Sequence, residues 1–169
     1  MGTAVAFLTR SREPDDYEMI KRIQHGGLEI AIIITSDFKC DGVKFVTDTS
    51  YSQQLAYMNR PVAEYIPPHY HNINERSVQL TQEVLVIRKG RLRVDFYAPD
   101  QSYIGSEELG AGDVLMLAAG GHAFRMIEPV EMVEIKQGPY AGLNDKTIFK
   151  GIPEEGVCPV SADNYVIEA

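Results

Sequence analysis

EVLVIRKGRLRVDFY, residues 83–97, alternates apolar and polar residues on both sides of Lys89-Gly90. Successive side chains of an extended chain point to opposite faces. Glu83, Leu85 and Ile87 therefore share one face, and Leu92, Val94 and Phe96 oppose Arg91, Arg93 and Asp95. A period of two does not fit a helix. It predicts a β-hairpin over 83–97 with a tight turn at Lys89-Gly90 and one buried face. Similar segments recur along the chain. LEIAIIITSDF (28–38), VKFVT (43–47), DVLMLA (113–118), HAFRMI (122–127) and VEMVEIKQ (130–137) read as strands punctuated by Gly or Pro. YEMIKRI (17–23) could follow Pro14-Asp15-Asp16 as a helix, but His25-Gly26-Gly27 before the Leu28 run favours a hairpin. QQLAYMNR (53–60) reads as a strand or a short helical turn. Short, regularly spaced strands with little helix imply an all-β sandwich or barrel. The last thirty residues lose this periodicity and are expected to wrap the outside, meet a partner subunit, or both.

Composition narrows the partners. A net charge of −8 and a pI near 5.0 disfavour non-specific binding to nucleic acid or to an anionic membrane. No stretch approaches the roughly 20 apolar residues that a membrane-spanning helix needs. At 169 residues and 44% apolar, the chain suits a single domain, 1–169, with a real core. In MGTAVAFLTRSR the basic residues follow a short apolar segment, the reverse of a secretory signal. Cys40 and Cys158 have no metal-like spacing and read as buried spacers in a cytoplasmic, reduced protein.

His69 and His71 are the first candidates for chemistry. In an extended strand they project from one face, roughly 7 Å apart, and can offer two imidazoles to a divalent metal. The bland alternative is a solvated strand end. Glu83 starts the apolar face of Leu85 and Ile87, where a carboxylate is expensive to bury unless paired or bound to a cation. The alternative there is a strand end open to water. His122 heads HAFRMI, with Phe124 and Met126 on its own face, after an Ala118-Ala119-Gly120-Gly121 turn.

Together these segments resemble the cupin superfamily over residues 60–137. His69-x-His71 is similar to the opening pair of the first cupin motif, and Glu83 to Gly90 to its glutamate, six residues, glycine ending. GDVLMLAAGGH, 112–122, resembles the second motif. The sequence departs from the pattern in several places. Eleven residues separate His71 from Glu83 where three or four are usual, which makes Glu75 a rival ligand. Ala63 replaces the opening glycine, Ala118 a proline and Met126 an asparagine, and the interval from Gly112 to His122 is one residue short.

The resemblance implies a cupin-like jelly-roll β-barrel with irregular N- and C-terminal extensions. It also implies a metal site formed by His69, His71, Glu83 and His122, holding one divalent ion (Fe, Mn, Ni or Zn) with open positions for a small-molecule ligand. The leading functional expectation is a metal-dependent enzyme on a small polar substrate, with oxygenase or isomerase-type chemistry. The alternatives are a non-catalytic small-molecule-binding barrel, or a metal-free sugar isomerase or epimerase using His69 or His122 as general base. Tyr70, Gln82, Arg125, Lys136 and Gln137 are polar candidates near the mouth, with Arg125 placed on the outer face by parity. The inward face of 130–137 stays open between Val133, Ile135, Gln137 and Met132, Glu134, Lys136. A homodimer is expected, because barrels of this size commonly hide sheet edges by pairing.

Overall fold

The computed structural model describes residues 19–166. They form an all-β chain of eleven strands with three short 3-10 turns. The expected N-terminal extension, and the start of the 17–23 segment, lie outside the described residues.

β1 (Ile20–His25) and β2 (Leu28–Ile34) form the expected hairpin, turning through Gly26 and Gly27. β3 (Gly42–Phe45) pairs only with β4 (Ala56–Asn59). β5 (Glu83–Lys89), β6 (Arg91–Tyr97), β7 (Tyr103–Gly110), β8 (Val114–Leu117), β9 (Gly121–Met126), β10 (Glu131–Lys136) and β11 (Tyr165–Val166) complete the set. A six-stranded sheet runs β10-β5-β8-β2-β1-β11, and a three-stranded sheet runs β7-β6-β9. All the strand pairs are antiparallel, and among the described residues no sheet closes on itself.

The structure corrects the hairpin expected over 83–97. β5 pairs with β8 and β10, while β6 pairs with β7 and β9, so the two strands belong to different sheets. Gly90, alone between them, is a corner rather than a hairpin loop. Its φ is +77°, and a Cβ there would lie 2.0 Å from the Pro129 carbonyl oxygen. One residue is too short for the usual two-residue hairpin turn, and the left-handed glycine throws the chain across to the opposite layer.

The core fills the space between the layers. Ile33, Leu85, Ile87 and Leu115 meet Leu92, Val94, Phe96 and Leu109, all essentially shielded from solvent. Burial of each such side chain contributes about 1.5–3 kcal/mol. On the outer face of the six-stranded sheet, Ile32, Ile34, Val84 and Met116 pack with Phe38 and Val46. β2 is therefore buried on both faces, which explains its unbroken aliphatic run.

β6 also has two covered faces, against the expectation of one. Arg93 and Asp95 are buried under the C-terminal segment and β7. Arg93 Nε donates to Asp95 Oδ1 at 2.7 Å, and its Nη1 to Glu154 Oε1 at 2.7 Å. The Ser106 hydroxyl donates to the same Asp95 oxygen at 2.6 Å. Arg125 reaches Glu154 at 3.1 Å on the exposed outer side, as its parity implied. The last residues thus wrap the body: along the edge of β7, Ser106 N–H donates to the Cys158 carbonyl at 2.9 Å and the Ser106 carbonyl accepts from Val160 N–H at 3.2 Å. Cys158 is exposed there and Cys40 is half-buried, so neither is the buried spacer expected.

Replacing Arg93 by Ala would leave the Asp95 carboxylate buried beside a lost cation. We expect a loss of about 3–5 kcal/mol in urea unfolding. Arg93 and Arg125 hold the Glu154 carboxyl below the usual carboxylate range. A depressed folded value means that its contribution is complete above that range and disappears as pH falls through the lowered value. Hydrogen exchange in 149–160 should therefore rise in acid, and Glu154→Gln should show the faster exchange already at neutral pH.

Candidate functional site

Because β5 and β6 belong to different layers, the first residue of β5 can look across the sandwich at β9. Glu83 opens β5 in the six-stranded sheet, and His122 lies near the start of β9 in the three-stranded sheet, opposite Phe96. Their side chains meet at the open end of the apolar core, with His122 Nε2 3.3 Å from Glu83 Oε2. The imidazole ring lies over Phe124, at a centroid distance of 5.1 Å. Hydrogen bonding to His122, with charge attraction from His122, Lys136 and Lys146, holds the Glu83 carboxyl below its ordinary range despite partial burial.

β10 settles the parity left open by the sequence. Lys136 stands directly opposite Glu83 in the ladder, and Met132, on the same face, packs against the core. Val133 and Ile135 are exposed. Met132, Glu134 and Lys136 therefore face inward. Lys136 Nζ lies 3.3 Å from Glu134, 3.6 Å from Asp145 and 3.9 Å from Glu83, with the Tyr140 ring nearby. Gln137 points elsewhere: its Oε1 accepts the Gln82 backbone N–H at 2.6 Å, and Ser52 joins the same cluster. Lys136 is among the polar candidates near the mouth, and its parity with Met132 is the alternative the structure adopts. Asp145 and Tyr140 come from the irregular C-terminal segment, where no period marks an inward residue.

His69 and His71 lie elsewhere in the chain, on the long connection from β4 to β5. Every residue from 58 to 81 is exposed. The two imidazoles are neighbours, with ring centroids 5.5 Å apart. His69 Nδ1 lies 2.9 Å from the Pro67 carbonyl. A carbonyl can only accept, so this contact calls for a proton on Nδ1. Glu75, the rival carboxylate, and Tyr70 lie on this exposed segment, not beside His122. Ala63, near the start of this segment, has φ +69°, the left-handed conformation that glycine favours.

The four expected ligands thus fall into two pairs. Among the described residues, no group of three or more His, Cys, Asp or Glu side chains converges on one point. The apolar side chains on the same strand faces divide similarly. Phe124 borders the site, Leu85, Leu92 and Val94 are core, and Met126 is exposed at the far end of β9.

No protein-family model, curated protein or solved structure matches the chain. The site is read from its own geometry.

Gly120 sets where β9 begins. Its φ is +74°, and a Cβ would lie 2.3 Å from the Tyr97 carbonyl oxygen. Gly120→Ala should lower stability by about 2 kcal/mol or more and displace the His122 imidazole NMR signals. Gly26→Ala, where φ is +58° but the space is open, should cost only about 1 kcal/mol and leave those signals in place.

Proposed function

We propose that this protein is a cupin-like, metal-binding β-barrel enzyme acting on a small polar substrate, by oxygenase or isomerase-type chemistry. One observation carries the reading: Glu83 and His122, from opposite sheets, meet at 3.3 Å over the end of an apolar core. Two donor atoms bound cis to one metal at about 2.1 Å each stand about 3 Å apart, so this separation suits a shared ion. A carboxylate with imidazoles suits Fe, Mn, Ni or Zn. When bound, such an ion would polarise a substrate oxygen or activate water or dioxygen. Glu83 and His122 would be the ligands fixed on the β-framework, and His69 and His71 would supply the remainder. Phe124 gives the mouth an apolar wall, and Lys136 offers an ammonium to an anionic substrate group.

The same geometry supports a second reading, a metal-free isomerase or epimerase. Here the Glu83 carboxylate orients His122 as general base. The observation favouring it is Lys136, which already places a positive charge beside Glu83.

Elemental analysis of untagged protein purified without chelator separates the two. The metal reading expects about one equivalent of Fe, Mn, Ni or Zn per chain, lost in the His69→Ala, His71→Ala double variant. Glu83→Ala should abolish metal retention, whereas Glu75→Ala should leave it. Protein that neither carries nor takes up a metal, yet loses isomerase activity in His122→Ala, would establish the second reading.

A further inference from the structure

The sandwich is open along one side. β10 ends the six-stranded sheet and β9 ends the three-stranded sheet, and among the described residues neither pairs along its second edge. The chain crosses between them through 127–130, so the two free edges flank a single slot that leads to Glu83 and His122. The effect on burial is plain. No residue of β9 or β10 is fully buried, whereas most of β6 is. Val133 and Ile135 stand exposed on the outward face of β10, and Met126 at the far end of β9. Elsewhere β7 is bridged by Pro159 and β1 is paired with the two-residue β11, while β11, β3 and β4 also end their sheets.

The same chain carries a segment with the opposite deficiency. Residues 60–81 are exposed, and within them a single backbone–backbone hydrogen bond is formed, from Glu64 N–H to the Pro61 carbonyl at 3.3 Å. Val62, Tyr65, Tyr70, Ile73 and Leu80 all point into solvent. Apolar side chains on an extended backbone with free N–H and C=O groups are what strand addition uses. Pro67-Pro68 stiffens the segment directly before His69. The segment is tethered to the body at both ends, at Gln82, bound to Gln137, and at Asn59, the last residue of β4. His69 lies ten residues from the nearer anchor, Asn59, and at about 3.3 Å per residue that leg reaches on the order of 30 Å, enough to enter a neighbouring molecule.

We propose that two copies of this chain exchange the 60–82 arms. Each arm adds its His69–His71 stretch to the free edge of β9 in the other copy, so that each site joins His69 and His71 of one chain to Glu83 and His122 of its partner. The exchange is reciprocal, as a twofold dimer requires. It covers the slot and the apolar arm in one step, and it accounts for four donors divided two and two within a single chain. The exchange stands on the open edges and the arm. The composite ligand set rests additionally on the metal reading above.

Light scattering on the wild-type chain should give a mass twice 18.9 kDa. Amide exchange in 60–82 should be protected in that dimer and lose protection on dilution, in step with dissociation. A monomer, a dimer whose arm exchanges at unprotected rates, or arm protection unaffected by dissociation would each overturn the exchange. The ligand set is tested by co-refolding His69→Ala, His71→Ala chains with Glu83→Gln, His122→Ala chains, neither of which binds metal alone. Random pairing makes half the dimers mixed, each with one intact site, so metal per chain should return to about one quarter of wild type. No recovery, with wild type metal-loaded, would overturn the composite site. Wild type unable to bind metal would defeat the metal reading alone, leaving the exchange to be decided by mass and protection.

Discussion

The arrangement of the site depends on the corner at Gly90. A residue with a side chain would collide with the Pro129 carbonyl, and the left-handed φ would strain it further. Because the chain can turn there, β5 and β6 enter opposite layers, although one residue separates them. Glu83 then looks across the core at His122, whose strand pairs with β6. Had β5 and β6 formed a hairpin, the carboxylate and the imidazole would have shared a sheet surface instead of facing each other over an apolar floor.

Two kinds of burial hold that frame. Between the sheets the packing is aliphatic and aromatic, with Phe96 and the leucines interdigitated. Outside β6 it is ionic: Arg93 is shared between Asp95 and Glu154, with Ser106 completing the Asp95 acceptor. A buried charge tolerates only a narrow geometry, since each group must be both neutralised and hydrogen-bonded. That requirement fixes the C-terminal segment against the three-stranded sheet more specifically than apolar contact could.

Strand positions were legible in the sequence because local alternation encodes them: most strands from Leu28 to Lys136 fall where the period-two pattern puts them. β7 was not, because Tyr103–Gly110 begins and ends at glycine-containing polar stretches and mixes Glu107 and Glu108 with its buried residues. Partnership was the less legible property. Nothing local in EVLVIRKGRLRVDFY distinguishes a hairpin from a change of sheet, since a glycine with positive φ serves both. Alternation likewise reported Arg93 and Asp95 as outward, correctly, but could not report that the outside would be covered. At the site, the resemblance grouped His69, His71, Glu83 and His122. The structure pairs Glu83 with His122 on the strands, and His69 with His71 on the long β4–β5 connection, where no alternation marks a partner.

The residue before His122 ties this end of the molecule to its distant tail. A Cβ on Gly121 would lie 2.8 Å from the Phe149 ring, which stacks edge-on against Tyr97, and the Tyr97 hydroxyl accepts the Ile152 N–H at 3.0 Å. The start of β9 and the 149–152 stretch are thereby packed about one shared ring, so a side chain added at 121 would have to displace Phe149 from Tyr97 as well.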